Sequence, residues 1–362
     1  MIRLGIVGLG KMGLSHLAIA RAHPEVELVA ACDASGYLTD ILSKHTGLKC
    51  YSDFERMLST ERLDALLVAT PSKLHASMVA AALERGLHVF CEKPFVLDTA
   101  DGERLCALAG AKGAVTQVGY HYRFVAAMQE AARIVASGAL GRVHHVRAEA
   151  YGPVVLRQKG STWRSSKNEG GGALYDYACH AIDLVNYVFA APDAVSGVVR
   201  QGVFSRDVDD EIYCSLHYAN GASGQLSVNW SDESFRKMST KLSVWGTNGR
   251  LNVDRQECQL FLRESSVALP QAPAGWSIRY TTELTEEVWF YLRGEEYSAQ
   301  IDYFVQSIKQ GRKDGLNNFH SAILTDRVVS MILSQPQASS VAPAAGAGAT
   351  SGGKSKWLKI FG

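Results

Sequence analysis

Several things are scarce in this 362-residue chain, and each scarcity removes a class of protein. Net charge is nearly absent: 37 lysines and arginines face 36 aspartates and glutamates, so neither a nucleic-acid surface nor a polybasic membrane patch is indicated. No stretch approaches the ~18 consecutive apolar residues that a membrane span requires. Met1 to Leu9 is apolar but interrupted by Arg3, Gly5 and Gly8, the pattern of a strand and not of a signal peptide. Cysteines are few (Cys32, Cys50, Cys91, Cys106, Cys179, Cys214, Cys258), with no CxxC pair and no Cys/His spacing suited to zinc. Odd in number and set in apolar runs, they read as reduced thiols of a cytoplasmic protein with no metal. Internal repeats are missing too, which excludes a solenoid.

What the chain does carry begins at once, with IRLGIVGLGKMG over residues 2–13. The apolar run Leu4, Ile6, Val7 stops at Gly8, and Gly8, Gly10 and Gly13 follow in GxGxxG spacing around Leu9, Lys11 and Met12. In that spacing the first glycine permits a tight turn, the second lets a pyrophosphate approach the backbone, and the third allows close packing of helix on strand. The motif alone is weak evidence. Here a helical stretch follows (Leu14 to Ala22), then a second apolar strand (Val26 to Cys32) ending at Asp33, twenty residues past Gly13. A carboxylate there accepts hydrogen bonds from ribose hydroxyls and repels a 2′-phosphate, so NAD is expected, with Ser35 keeping NADP open. The plain alternative for Asp33 is a solvated loop acid.

The alternation continues. Apolar strands are expected at Leu63 to Ala69, His88 to Cys91 and Ala114 to Val118, with helices at Leu74 to Arg85 and Ala100 to Ala111. Residues 1–122 therefore predict an α/β domain built on a doubly wound parallel sheet. From residue 123 the pattern changes. A helix, a strand (Val143 to Tyr151) and a basic loop with Trp163 and Arg164 precede Gly170-Gly171-Gly172, which opens a helix to about Phe189. Period-two strands with Asn-Gly turns at Asn220-Gly221 and Asn248-Gly249 come next. Residues 123–335 thus predict an open, mostly antiparallel α+β domain with helices on one face, the other face left for a partner subunit in a homodimer or homotetramer. Residues 336–362 are rich in Pro, Ala, Gly and Ser and predict a flexible tail, with an apolar and basic tip from Lys356 to Phe361.

Three groups are candidates for chemistry. Lys93, in Glu92-Lys93-Pro94, follows a parallel strand on the carboxyl side, where open α/β sheets bind ligands, and the proline holds it extended. Asp176 and His180 are spaced i, i+4 on the expected helix, with Asp183 one turn on, so the aspartate would fix the tautomer of an imidazole base. Taken singly, each has an ordinary reading, a turn lysine or a local ion pair. Arg157, Lys159 and Arg164 could meet an anionic group of a ligand, and Trp163 could stack on a ring, or the loop is merely solvated.

Together GLGKMG with Asp33, ATPSKLH, ALERGLHVFCEKP, GYHYRF and GGGALYDYACHAIDL resemble the signature segments of the glucose-fructose oxidoreductase, inositol dehydrogenase and MocA family. The resemblance implies a Rossmann domain and a cis bond before Pro94. It implies NAD over Gly8 to Gly13, with Thr70, Pro71, His75, Glu92 and Lys93 toward the nicotinamide. It assigns Lys93, Asp176 and His180 to the hydroxyl being oxidised. Arg123, which matches the family's motif, is read as a substrate contact together with Trp163 and Arg164 of a loop in which family members vary. Where the family often has an Asn-Arg-Arg-Phe-like run, this chain has Tyr120-His121-Tyr122-Arg123-Phe124. The activity implied is oxidation of a sugar, polyol or nucleotide-sugar hydroxyl. The alternatives within the same resemblance are a glycosidase using transient oxidation and a non-catalytic NAD-binding regulator.

Overall fold

The computed structural model describes residues 1–154, 163–290 and 294–336. Arg157, Lys159 and the tail from 337 onward, including its terminal tip, lie outside the described residues.

The first half alternates strand and helix as expected. It runs β1 (Ile2–Val7), α1 (Lys11–Ala22), β2 (Val26–Cys32), α2 (Gly36–Thr46), β3 (Lys49–Tyr51), α3 (Phe54–Thr60), β4 (Ala65–Val68), α4 (His75–Glu84), β5 (His88–Cys91), α5 (Thr99–Lys112) and β6 (Thr116–Val118). All six strands are parallel, in the order β3-β2-β1-β4-β5-β6. The order reverses between β1 and β4, which creates the crevice at the strands' carboxyl ends. Every residue of β4 is buried, because helices cover both faces of the sheet. Local signals set the ends: Asp53 Oδ1 accepts the Arg56 amide at 2.8 Å and caps α3, and Gly113 in the left-handed region closes α5.

The second half contains α6 (Ala126–Ala136), β7 (Val143–Tyr151), α7 (Cys179–Val188), β8 (Ala194–Gln201), β9 (Glu211–His217), β10 (Ser223–Asn229), β11 (Ser239–Gly246), β12 (Gly249–Val253), β13 (Glu257–Leu262), β14 (Gly275–Tyr280), the single turn α8 (Thr281–Leu284), α9 (Glu295–Gln310) and α10 (Phe319–Ser334). Its eight strands run β14-β13-β12-β11-β7-β10-β9-β8, antiparallel except where β10 meets β7. Helices α6 and α7 bury one face around Val146, Val244, Leu251 and Trp230. β14 and β3 are additions to the strands read from sequence. The expected helix after the triple glycine begins differently: Leu174–Ala178 make one wide turn of π-helix before α7.

The last two helices leave this sheet and return to the first. Ile301, Phe304 and Val305 of α9 join Leu4, Ile6 and Phe90 in one apolar cluster, and Phe319, Ala322 and Ile323 of α10 join Val89, Phe95 and Leu105 in another. Full burial of such side chains is worth roughly 1.5–3 kcal/mol each. The crevice at β1, β4 and β5 is therefore walled by both halves of the chain.

Candidate active site

The glycine turn shows why each glycine is there. Gly8 has φ of 90°, and a Cβ on it would press on the Ala69 carbonyl and the Thr70 amide, so the turn after β4 lies against it. A Cβ on Gly13 would overlap the Gly8 carbonyl oxygen, whereas one on Gly10 would meet nothing within 4 Å. The loop is thus packed from below and open above, where a pyrophosphate belongs. Asp33 ties it to β2: its Oδ2 accepts the Leu9 amide at 2.6 Å and its Oδ1 the Ser35 amide at 2.8 Å. A carboxylate offers about four lone-pair sites, so both oxygens retain capacity for a ribose. Leu9 contributes only its backbone, its side chain being wholly buried, while Lys11 is exposed and Met12 half-buried. Thr70 and Pro71 form the facing turn. His75 does not face the crevice as the sequence reading had it. It is buried, with Nδ1 2.8 Å from the Pro94 carbonyl and Nε2 3.0 Å from the Thr70 carbonyl, and so ties the β4 turn to the β5 turn.

At the end of β5 the Lys93-Pro94 bond is cis. Glu92 turns inward, its carboxylate accepting from His16 Nε2 at 2.6 Å and from the Lys93 amide at 3.1 Å. Gly119 makes room, since a Cβ there would lie 2.8 Å from that carboxylate. Burial disfavours the Glu92 anion, but His16 and Lys93 more than offset this and hold its pKa below the usual value. His16, three residues past Gly13, is a site neighbour that the sequence reading missed. Its signal was a histidine on the buried side of the helix that follows the glycines.

Lys93 Nζ reaches across to the second half, 2.9 Å from Asp176 Oδ1 and 3.1 Å from the Asp176 carbonyl. Asp176 Oδ2 accepts from Arg164 Nε at 2.8 Å, and the Arg164 guanidinium lies over the Trp163 ring, 5.1 Å from its centroid. The triple glycine explains the delivery of Arg164. Gly171 and Gly172 donate to the Ser166 and Arg164 carbonyls at 3.0 Å each, and a Cβ on Gly171 would collide with the Trp163 and Arg164 carbonyls. Burial works against the Lys93 ammonium, yet the Asp176 carboxylate outweighs it and raises the lysine pKa; the same pairing, with Arg164, lowers that of Asp176 despite its burial.

His180 stands opposite, among Tyr120, His121 and Tyr122, whose ring centroids lie 6.2, 5.1 and 5.4 Å away. Burial, then Lys93 and His121, push its pKa well below the ordinary value, so the ring is neutral. Its Nδ1 is enclosed without a partner, which leaves Nε2 as the nitrogen able to meet a ligand. His121 stacks on Tyr297 of α9, 4.6 Å between centroids at 18°, and burial drives its pKa to about 3. Neither ring was singled out from the sequence as a site residue.

Three expectations need correction. Asp176 does not orient His180, because the π-turn alters the i, i+4 geometry and Lys93 and Arg164 occupy the carboxylate. Asp183 does not extend that face: it sits in a buried pair with Arg123, Nη2 to Oδ1 at 2.6 Å and Nε to Oδ2 at 3.0 Å. Arg123 is accordingly no substrate contact. It is 3% exposed and spends Nη1 on the Leu316 carbonyl and Ser321 Oγ.

A phosphate-ready glycine turn, an acid at the tip of β2 and a lysine in a cis-proline turn thus face a neutral histidine from a second domain. Residues 2–120 match the GFO/IDH/MocA oxidoreductase family with its NAD-binding Rossmann fold, and residues 128–252 match the GFO/IDH/MocA C-terminal domain. The chain belongs to this family. Among its relatives, a myo-inositol 2-dehydrogenase of Thermotoga maritima is 25% identical over 325 residues, covering 86% of this chain and 89% of that one. A levoglucosan dehydrogenase of Pseudarthrobacter phenanthrenivorans is 27% identical over 300 residues, covering 71% and 75%. Among solved structures, GenD2 from gentamicin A biosynthesis in complex with NAD superposes with a TM-score of 0.73 at 26% identity, over 91% of this chain and 92% of that one. The matched segment is the family's NAD-binding Rossmann fold, and the open glycine turn and the Asp33 carboxylate fit that group. No helix among the described residues is long and apolar enough to cross a membrane.

Proposed function

We propose that this protein oxidises a secondary hydroxyl of a sugar or cyclic polyol. The bound NAD supplies the acceptor for the hydride. His180 Nε2 takes the hydroxyl proton, and Lys93, held charged by Asp176, donates a hydrogen bond to the developing alkoxide. Asp176 positions the lysine, with Arg164 as its second cation.

The observation that carries this reading is the pairing of opposites at one spot. A half-buried ammonium paired with Asp176 at 2.9 Å lies near a buried imidazole whose pKa burial lowers, so a hydrogen-bond donor and a proton acceptor coexist at neutral pH. His121 and Tyr297 supply a flat aromatic wall suited to the apolar face of a sugar ring, with Trp163 and Arg164 at the mouth. The named relatives act on inositol and levoglucosan, which supports the substrate class.

The test is a panel of inositols, anhydrosugars, glycosides and nucleotide-sugars with NAD, following reduced nicotinamide. Stoichiometric reduction with formation of a ketone is expected for at least one class. Cleavage of a glycoside without net reduction would point instead to the transient-oxidation glycosidase, and tight NAD binding with neither outcome to a regulator. His180→Ala should lower turnover by ~10²- to 10⁴-fold while leaving the NAD dissociation constant, measured by calorimetry, unchanged.

A further inference from the structure

Behind the site, three buried polar atoms have no hydrogen-bond partner among the described residues: His180 Nδ1, Tyr120 Oη and Asp326 Oδ1. Their side chains come from α7, from the turn after β6 and from α10, and the residues are 4%, 0% and 4% exposed. Buried polar groups are nearly always paired, directly or through ordered water, so three orphans in one region form a connected problem. Tyr120 meets His180 edge-on at 87°, and of all charged groups Asp326 weighs most on the Tyr120 phenol. The other oxygen of Asp326 accepts the Val96 amide at 3.3 Å, which reserves Oδ1 for a different bond.

We propose that His180 Nδ1, Tyr120 Oη and Asp326 Oδ1 form one hydrogen-bonded relay, closed by buried water or by a small rotation of the three side chains, that stores on Asp326 the proton His180 removes from the substrate. This rests on the reading of His180 as the proton acceptor. The proton count closes. Before oxidation Asp326 is ionised, Tyr120 donates to it, His180 Nδ1–H donates to Tyr120, and the Nε2 lone pair faces the substrate. As the carbon–hydrogen bond breaks and its electron pair passes as hydride to the nicotinamide dinucleotide, the hydroxyl proton moves to Nε2. The Nδ1 proton then moves to the Tyr120 oxygen, and the phenol proton to Asp326 Oδ1. The substrate is left as a ketone, and the histidine stays neutral throughout with its tautomer exchanged. Reduction runs the same sequence backward.

The surroundings favour storage at that end. Asp326 is faced by the Asp183–Arg123 pair, by the thiols of Cys91, Cys106 and Cys179, and by the phenols of Tyr120 and Tyr175. Burial pushes its carboxyl well above the ordinary range; the Val96 bond opposes this and the Asp183 charge adds to it. At the other end Lys93 and His121 face His180 and resist a positive imidazole. A relay that never charges the ring answers both constraints, and it gives His180 the orienting partner that Asp176 does not provide.

The experiment is a pH titration of the full chain labelled with ¹⁵N-histidine, comparing wild type, Tyr120→Phe and Asp326→Asn, with His180→Asn to assign the resonance. In wild type the His180 signals should pass from the Nε2–H tautomer to the Nδ1–H tautomer as pH rises, with no imidazolium between. Both variants should hold one tautomer across the range. Alongside, oxidation of whichever substrate the panel identifies should fall at least tenfold in kcat at unchanged KM in both variants, with the alkaline rise of kcat lost. A single tautomer at every pH in wild type, or the same switch in either variant, overturns the proposal. A switch abolished by both variants in a protein that oxidises no sugar would keep the relay and reject the reading of the reaction, so the two failures are distinguishable.

Discussion

Lys93, half-buried, and Arg123, buried, are both cations held by an aspartate, and their difference lies in what remains free. Lys93 spends two of its three ammonium protons on Asp176 and keeps the third, whereas Arg123 is consumed by Asp183, Leu316 and Ser321. Asp176→Asn removes the largest opposition to burial at Lys93, leaving Cys179 and Glu92, so the lysine pKa, raised in the native protein, should fall. The alkaline limb of kcat/KM, where protonated Lys93 is lost, should then move to lower pH. Arg123→Met should leave KM unaltered but cost about 3–5 kcal/mol at neutral pH, because Asp183 remains buried without its cation. The sign with pH follows from the carboxyl. Asp183 already sits above its ordinary pKa through burial, and losing Arg123 raises it further. A carboxyl whose folded pKa is raised contributes stability below its unfolded value and loses it as pH rises. The variant's deficit should therefore shrink as urea melts are taken from neutral pH toward pH ~4.

Among the elements, the turn at Leu174–Ala178 and the glycines before it decide how the two halves meet. Gly171→Ala forces a methyl into the Trp163 and Arg164 carbonyls and should destabilise by about 1–3 kcal/mol, with Arg164 displaced from Asp176. Gly110→Ala, exposed within α5 with nothing near its Cβ position, should instead stabilise by about 0.5–1 kcal/mol in the same thermal melts. The contrast also measures what could be read in advance. The glycine turn, Asp33 and the alternation of β1 to β6 were legible because their signals are local: apolar runs, turn residues, fixed spacing. The triple glycine was legible as a place of close approach, but its occupant was not, since Arg164 arrives from the preceding loop. The π-turn was illegible because no local pattern marks it, and the Lys93 that meets Asp176 within it lies 83 residues earlier. Arg123 was misread for the same reason: its partner is 60 residues away and its motif position carried no sign of burial. β14 lacks a clean alternation, with Trp276, Ile278, Arg279 and Tyr280 all exposed, and that exposure is its information.

For the whole molecule, the face of the eight-stranded sheet that no described helix covers carries Trp276, Ile278, Tyr280, Phe261 and Trp245, the last with Arg147 and Arg250 against its ring. We propose that a second copy covers this face, which is rich in the aromatics and arginines typical of interfaces. Ile278→Lys should lower the mass seen by light scattering toward that of one chain, while the far-ultraviolet circular dichroism is unchanged.

The return of α9 and α10 to the first sheet has a temporal side. On a ribosome the strands that make the dinucleotide crevice emerge first, yet the apolar groups of Phe90, Phe95 and Leu105 acquire their covering of Phe304, Phe319 and Ile323 only after some two hundred further residues have been joined. Until then that side of the first sheet lacks its final apolar cover and is open to non-native association.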